Sequence, residues 1–90
     1  MYQVLKRDGE TAEFNISKIA VAITKAFEAQ GKQYHPSVID LLALKVTADF
    51  DYKIKDNLIS VEDIQDSVES VLIQAGYADV AKAYILYRRQ

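Results

Sequence analysis

The stretch "VLKRDG", residues 4–9, decides how the chain begins. An alternating run, "YQVLKR" (2–7), stops at Asp8-Gly9, a strong short signal for a hairpin turn. Gly9 can take the positive φ that such a loop requires. "TAEFN" (11–15) then returns to extended chain. The pattern predicts a β-hairpin with Tyr2, Val4 and Lys6 on one face and Gln3, Leu5 and Arg7 on the other. Lys6 and Arg7 are left side by side at the turn.

Beyond the hairpin the periodicity turns helical. Asn15 or Ser17 can cap a helix from Ile16 to Gln30, in which Ile19, Ala20, Ile23, Ala26 and Phe27 share a face. Gly31 fits the position that ends it. Pro36 suits the first turn of a second helix through Phe50, with Val38, Leu41, Leu42, Val46 and Phe50 available for burial. "DYKIKDN" (51–57) is a polar loop from which Tyr52 and Ile54 are expected to pack inward. "LIS" (58–60) suits a brief third strand. Ser60, with Asp63 three residues on, caps a third helix whose stripe is Ile64, Val68, Val71, Leu72 and Ala75, stopped at Gly76. Residues 77–90 form a fourth helix with Val80, Ala81, Tyr84 and Tyr87 on one side. The fold class is α+β, mostly α: a four-helix bundle capped by a small three-stranded sheet that includes the N-terminal hairpin.

Composition removes several functions. Ninety residues, half of them apolar, make one domain with a core. The chain has no Cys and one His, His35, which leaves no disulfide framework and no thiolate or His-based metal site. His35 reads as an exposed loop residue. No apolar run nears the roughly 20 residues that span a bilayer, and the opening residues lack a signal-peptide core, so a cytoplasmic location is expected. The net charge of −2 lacks the broad basic excess of a nucleic-acid binder. Glu62, Asp63, Asp66 and Glu69 read as a solvated outer face of the third helix, and the serines have no nucleophile-elbow motif. Tyr84 and Tyr87 read as core or interface, and Arg88 and Arg89 suit the negative end of a helix.

Neither a Walker phosphate loop nor GxGxxG occurs. A cluster of cations is the remaining route to an anionic ligand. Lys6 and Arg7 end the first strand and Lys18 lies in the first turn of the first helix, so the three can converge at the open end of the hairpin. A lysine at a helix N-terminus opposes the helix dipole and is better understood with an anion there. The same three cations can instead pair with Asp8, Glu10 and Glu13 on a solvated surface. The residues alone leave both readings standing.

Taken together, "VLKRDG", "EFNISKIAVAITKAF", "ISVEDIQDSVESVL" and "VAKAYILYRRQ" resemble the ATP-cone domain in order and spacing, over nearly the whole chain. The resemblance implies a single cone, residues 1–90, at the N-terminal part of a longer ribonucleotide reductase that serves deoxyribonucleotide synthesis and DNA replication. It implies a non-catalytic allosteric site for ATP or dATP, carried with Mg²⁺. The implied partners are the catalytic domain of the parent reductase and other subunits, with no DNA and no membrane. The closing segment looks most like the anaerobic or cobalamin-dependent enzymes, and a ribonucleoside-triphosphate reductase is the expected parent. Lys6 and Arg7 match the family's triphosphate-binding pair, Lys18 its "KI" lysine, Val4 and Ile19 apolar positions near the base, and Asn15 a polar residue that holds the nucleoside. Val61 and Gln65 stand where some members have Thr and His, and Ala12 where some have an acid. Those departures favour the alternative, a degenerate cone that acts as an interaction module without nucleotide.

Overall fold

The computed structural model describes residues 1–88, so the readings made for Arg89 and Gln90 lie outside the described residues. The chain runs β1 (Gln3–Leu5), β2 (Thr11–Glu13), α1 (Ile16–Ala29), α2 (Pro36–Phe50), β3 (Leu58–Ser60), α3 (Val61–Gln74) and α4 (Ala78–Arg88). A 3-10 turn over Asp51–Lys53 follows α2.

Sequence signals delimit the first three helices locally. The Asn15 side chain accepts from the Ser17 amide at 3.0 Å and starts α1. Gly31, at φ +62°, ends α1, with its own amide and that of Lys32 bonded back to Glu28 and Phe27. Pro36 opens α2, and His35 proves to be its cap: Nδ1 accepts from the Ser37 amide at 3.1 Å. The Asp63 amide donates to Ser60 Oγ at 3.1 Å and starts α3. Ser60→Ala is expected to lower stability by about 1 kcal/mol, and the melting temperature by about 4–8 °C. Thermal denaturation by circular dichroism checks it.

The sheet has the order β2-β1-β3. β1 pairs antiparallel with β2, Val4 opposite Ala12, and parallel with β3, Val4 opposite Ile59 and Leu5 opposite Ser60. Gly9, at φ +89°, makes the hairpin turn, closed by the Lys6 amide on Glu10 at 2.8 Å and the Gly9 amide on Lys6 at 3.0 Å. The 51–57 segment ends in a second tight turn, Asp56 and Asn57 both at positive φ, between mutually bonded Lys55 and Leu58.

The helices pack in a ring, α1 on α2, α2 on α3, α3 on α4, and α4 back on α1. Ile23, Phe27, Val46, Phe50, Leu72 and Val80 fill its centre, and Ile59 brings the sheet onto it. Tyr2, Phe14 and Phe50 form an aromatic cluster, with Tyr2–Phe14 at 4.7 Å and Phe14–Phe50 at 5.7 Å between ring centroids. That cluster joins the hairpin to the end of α2. No helix among the described residues is long and apolar enough to cross a membrane.

Four side chains depart from the sequence expectation. Leu41 is exposed on α2, while Ile39 and Ala43 are buried instead. The helix is apolar on most of its circumference, so spacing alone does not select the buried side. Tyr52 is exposed because the 3-10 turn sends Ile54 inward and leaves Tyr52 outside, under the Lys53 ammonium. Ala75 is exposed past the end of α3, and Tyr87 is about half exposed one turn beyond buried Tyr84.

Candidate functional site

The register of β1 with β3 builds the site. Because Leu5 lies beside Ser60, and Ser60 caps α3, the hairpin turn stands next to the first turn of α3. Because Asn15 caps α1 directly after β2, the first turn of α1 lies close by as well. Three chain segments distant in sequence therefore meet at one end of the bundle.

Between them lies a cavity of about 250 Å³. Seven of the eight residues expected at the site line it: Val4, Lys6, Asn15, Lys18, Ile19, Val61 and Gln65. The eighth, Arg7, lies outside it, in an adjoining groove shared with Lys6, Gln65, Tyr87 and Arg88. The remaining wall is largely apolar, contributed by Ala12, Phe14, Ala22, Ile64, Val68, Tyr84 and Tyr87, with Glu13 as its one acid. Sequence reading placed Ile64, Val68 and Tyr84 in the core, since a cavity wall and a packed interior share one apolar periodicity. Burial pushes the Tyr84 hydroxyl up to about 12.

The cations have sorted themselves. Among the described residues neither Lys6 nor Lys18 forms an ion pair. Asp8, one of the acids within sequence reach of them, instead accepts the Glu10 amide at 2.9 Å and shapes the turn. The first turn of α1 contains no acid, and Lys18 adds a further positive charge to the positive end of its dipole. A largely apolar chamber lined also by two unpaired lysines, by Glu13 and by the first turn of α1 suits a ligand with an apolar ring and an anionic tail.

Arg7 is engaged across the fold. Its Nε donates to Glu62 Oε1 at 2.5 Å and its Nη2 donates to Gln65 Oε1 at 2.9 Å. The other Glu62 oxygen accepts from Arg88 Nη2 at 3.1 Å, and Arg88 Nη1 donates to Asp66 at 3.1 Å and to Glu69. The acids of α3, expected to be a solvated face, are thus largely tied to two arginines from other elements. Arg7's hydrogen bond, reinforced by Arg88, holds the Glu62 carboxyl below the usual carboxylate range despite some desolvation. Burial opposes the charge on Arg88, but Glu69, Asp66 and Glu62 outweigh it and keep that guanidinium firmly protonated. No group of three His, Cys, Asp or Glu side chains among the described residues is arranged to hold a metal ion.

The family model for the ATP cone domain matches residues 2–90. The chain is 44% identical over 91 residues to the ribonucleoside-diphosphate reductase subunit alpha of Chlamydia pneumoniae, covering 94% of this chain and 9% of that protein. It is 38% identical over 88 residues to the vitamin B12-dependent ribonucleoside-diphosphate reductase of Mycobacterium tuberculosis, covering 98% of this chain and 12% of the other. It is 31% identical over 88 residues to the anaerobic ribonucleoside-triphosphate reductase of Salmonella typhimurium, covering 94% and 11% respectively. The chain thus spans about a tenth of the length of the relatives it matches.

Proposed function

The chain belongs to the ATP-cone family, and on that footing we propose that it is a non-catalytic regulatory domain that binds ATP or dATP and governs the activity of a larger ribonucleotide reductase. One observation above all supports this reading: an apolar cavity with Lys6 and Lys18 at its wall, both without carboxylate partners among the described residues. The base enters the apolar chamber, and the phosphates meet Lys6, Lys18 and the N-terminus of α1, with Arg7 beside them. Mg²⁺ arrives with the nucleotide, on its phosphate oxygens.

Regulation follows from differential affinity. The phosphates fasten the hairpin to α1, while the sugar lies between the hairpin and α3. ATP carries a 2′-OH that dATP lacks, so the two nucleotides favour different packings of those elements. A ligand shifts such an equilibrium only by the difference in its affinity for the two states. The shifted face is the one that contacts the catalytic domain or another subunit. The relatives divide among three kinds of reductase, so their names do not select the anaerobic class suggested by the closing segment.

Calorimetric titration of the chain with ATP and with dATP, each with Mg²⁺, tests the proposal. Saturable binding of either nucleotide is expected, and a gap between the two affinities shows that the sugar is read. No binding of either overturns the reading in favour of an interaction module without nucleotide.

A further inference from the structure

We infer that Glu62 and Gln65 are positioning residues for Arg7, holding its guanidinium so that one edge faces the phosphate site, and that Arg88 anchors this arrangement from α4. The inference rests on the reading of the cavity as a nucleotide site and assigns Gln65 a duty different from contact with base or sugar.

The geometry carries it. Arg7 uses Nε on Glu62 and one Nη2 hydrogen on Gln65. Both Nη1 hydrogens and the second on Nη2 remain; one from each of these nitrogens lies along the end-on edge of the fork, which can take two oxygens of one phosphate. An exposed arginine at a hairpin turn otherwise samples many rotamers, and that freedom is lost on binding. Two acceptors on rigid α3 remove part of this cost beforehand. Glu62 is itself fixed: its second oxygen takes the Arg88 hydrogen bond at 3.1 Å, and Arg88 is clamped by Asp66 and Glu69. Arg88 is mostly buried, at 14% side-chain exposure, whereas Arg7 and Glu62 are about half exposed. The rigid end of the chain of contacts therefore lies at α4 and the open end at the ligand. Gln65 lines both the cavity and the adjoining groove, so its amide stands between Arg7 and the chamber.

The test compares ATP–Mg²⁺ and inorganic tripolyphosphate on the 90-residue chain and on Glu62→Ala, Gln65→Ala, Arg7→Ala and the Glu62→Ala/Arg7→Ala double variant. With the wild type, binding of ATP–Mg²⁺ establishes the site, and its absence overturns the nucleotide reading and this inference together. Given binding, Glu62→Ala and Gln65→Ala are each expected to weaken both ligands by roughly three- to tenfold. In the Arg7→Ala background, Glu62→Ala is expected to have no further effect. That dependence on Arg7 is what a merely structural role would not produce. Unchanged or tighter binding in Glu62→Ala would show that the carboxylate competes for Arg7 rather than positioning it. Weakening that persists without Arg7 would likewise overturn the inference while leaving the nucleotide site intact.

Discussion

Replacing Lys18 by alanine is expected to weaken ATP binding by roughly ten- to a hundredfold and to leave the fold intact. The loss corresponds to about 1.5–3 kcal/mol for one charge-assisted contact to phosphate. The fold survives because Lys18 is exposed, forms no ion pair among the described residues, and contributes nothing to the core. It stands in the first turn of α1, where a cation opposes the dipole, so its removal should hold or slightly raise the melting temperature. Opposite movements of affinity and stability identify a residue kept for a ligand. Titration calorimetry and thermal denaturation of the same sample read both. Unchanged affinity in Lys18→Ala would exclude this helix end from the phosphate site.

The largest loss of stability is expected at Phe50. Its side chain is fully buried and touches two rings of the N-terminal segment, Phe14 at 5.7 Å and Tyr2 at 6.1 Å between centroids. Truncating a buried phenylalanine to alanine costs about 3–5 kcal/mol. Against the 5–15 kcal/mol typical of a whole domain, that is a large fraction. A fall in melting temperature of roughly 15–30 °C follows for a chain of this size. Leu41→Ala, nine residues earlier on the same helix but 52% exposed, is expected to stay within about 0.5 kcal/mol. Urea denaturation of the pair checks the contrast. Similar losses at both positions would contradict the orientation of α2. Phe50→Ala should also weaken nucleotide binding, since Phe14 both packs edge-on against Phe50 and lines the cavity.

How much the sequence disclosed depended on the range of the interaction. Signals that act within a few residues were legible: Asp8-Gly9 for the hairpin, Asn15 and Ser60 as caps, Pro36 as a helix start and Gly31 as an end. The helices and the three-stranded sheet follow from these and from apolar spacing. Orientation was less legible where a segment is apolar all round, and Leu41 on α2 is the example. Tyr52 turned outward because a 3-10 turn, too short to show a period, sets its direction. At the site, residues with a charge or a capping role were visible, whereas Ala22, Ile64 and Val68 were not, because their apolar pattern is that of any core. The pairing of Arg7 with Glu62 was beyond reach. It depends on β1 lying beside β3, and parallel pairing between segments so far apart leaves no mark in either.

That parallel pairing also bears on the order in which the molecule takes shape. β1 is the central strand of the sheet, yet one of its two neighbours, β3, lies more than half the chain later. During synthesis the hairpin and α1 emerge first, and the strand they contain must wait for residues 58–60 before its second edge is satisfied. Helices can form early from local contacts, while closure of this long loop comes late. The chamber between hairpin, α1 and α3 is therefore complete only once that loop has closed. A ligand held there bridges the earliest-made and later-made segments, and would slow their separation more than the loosening of any single helix.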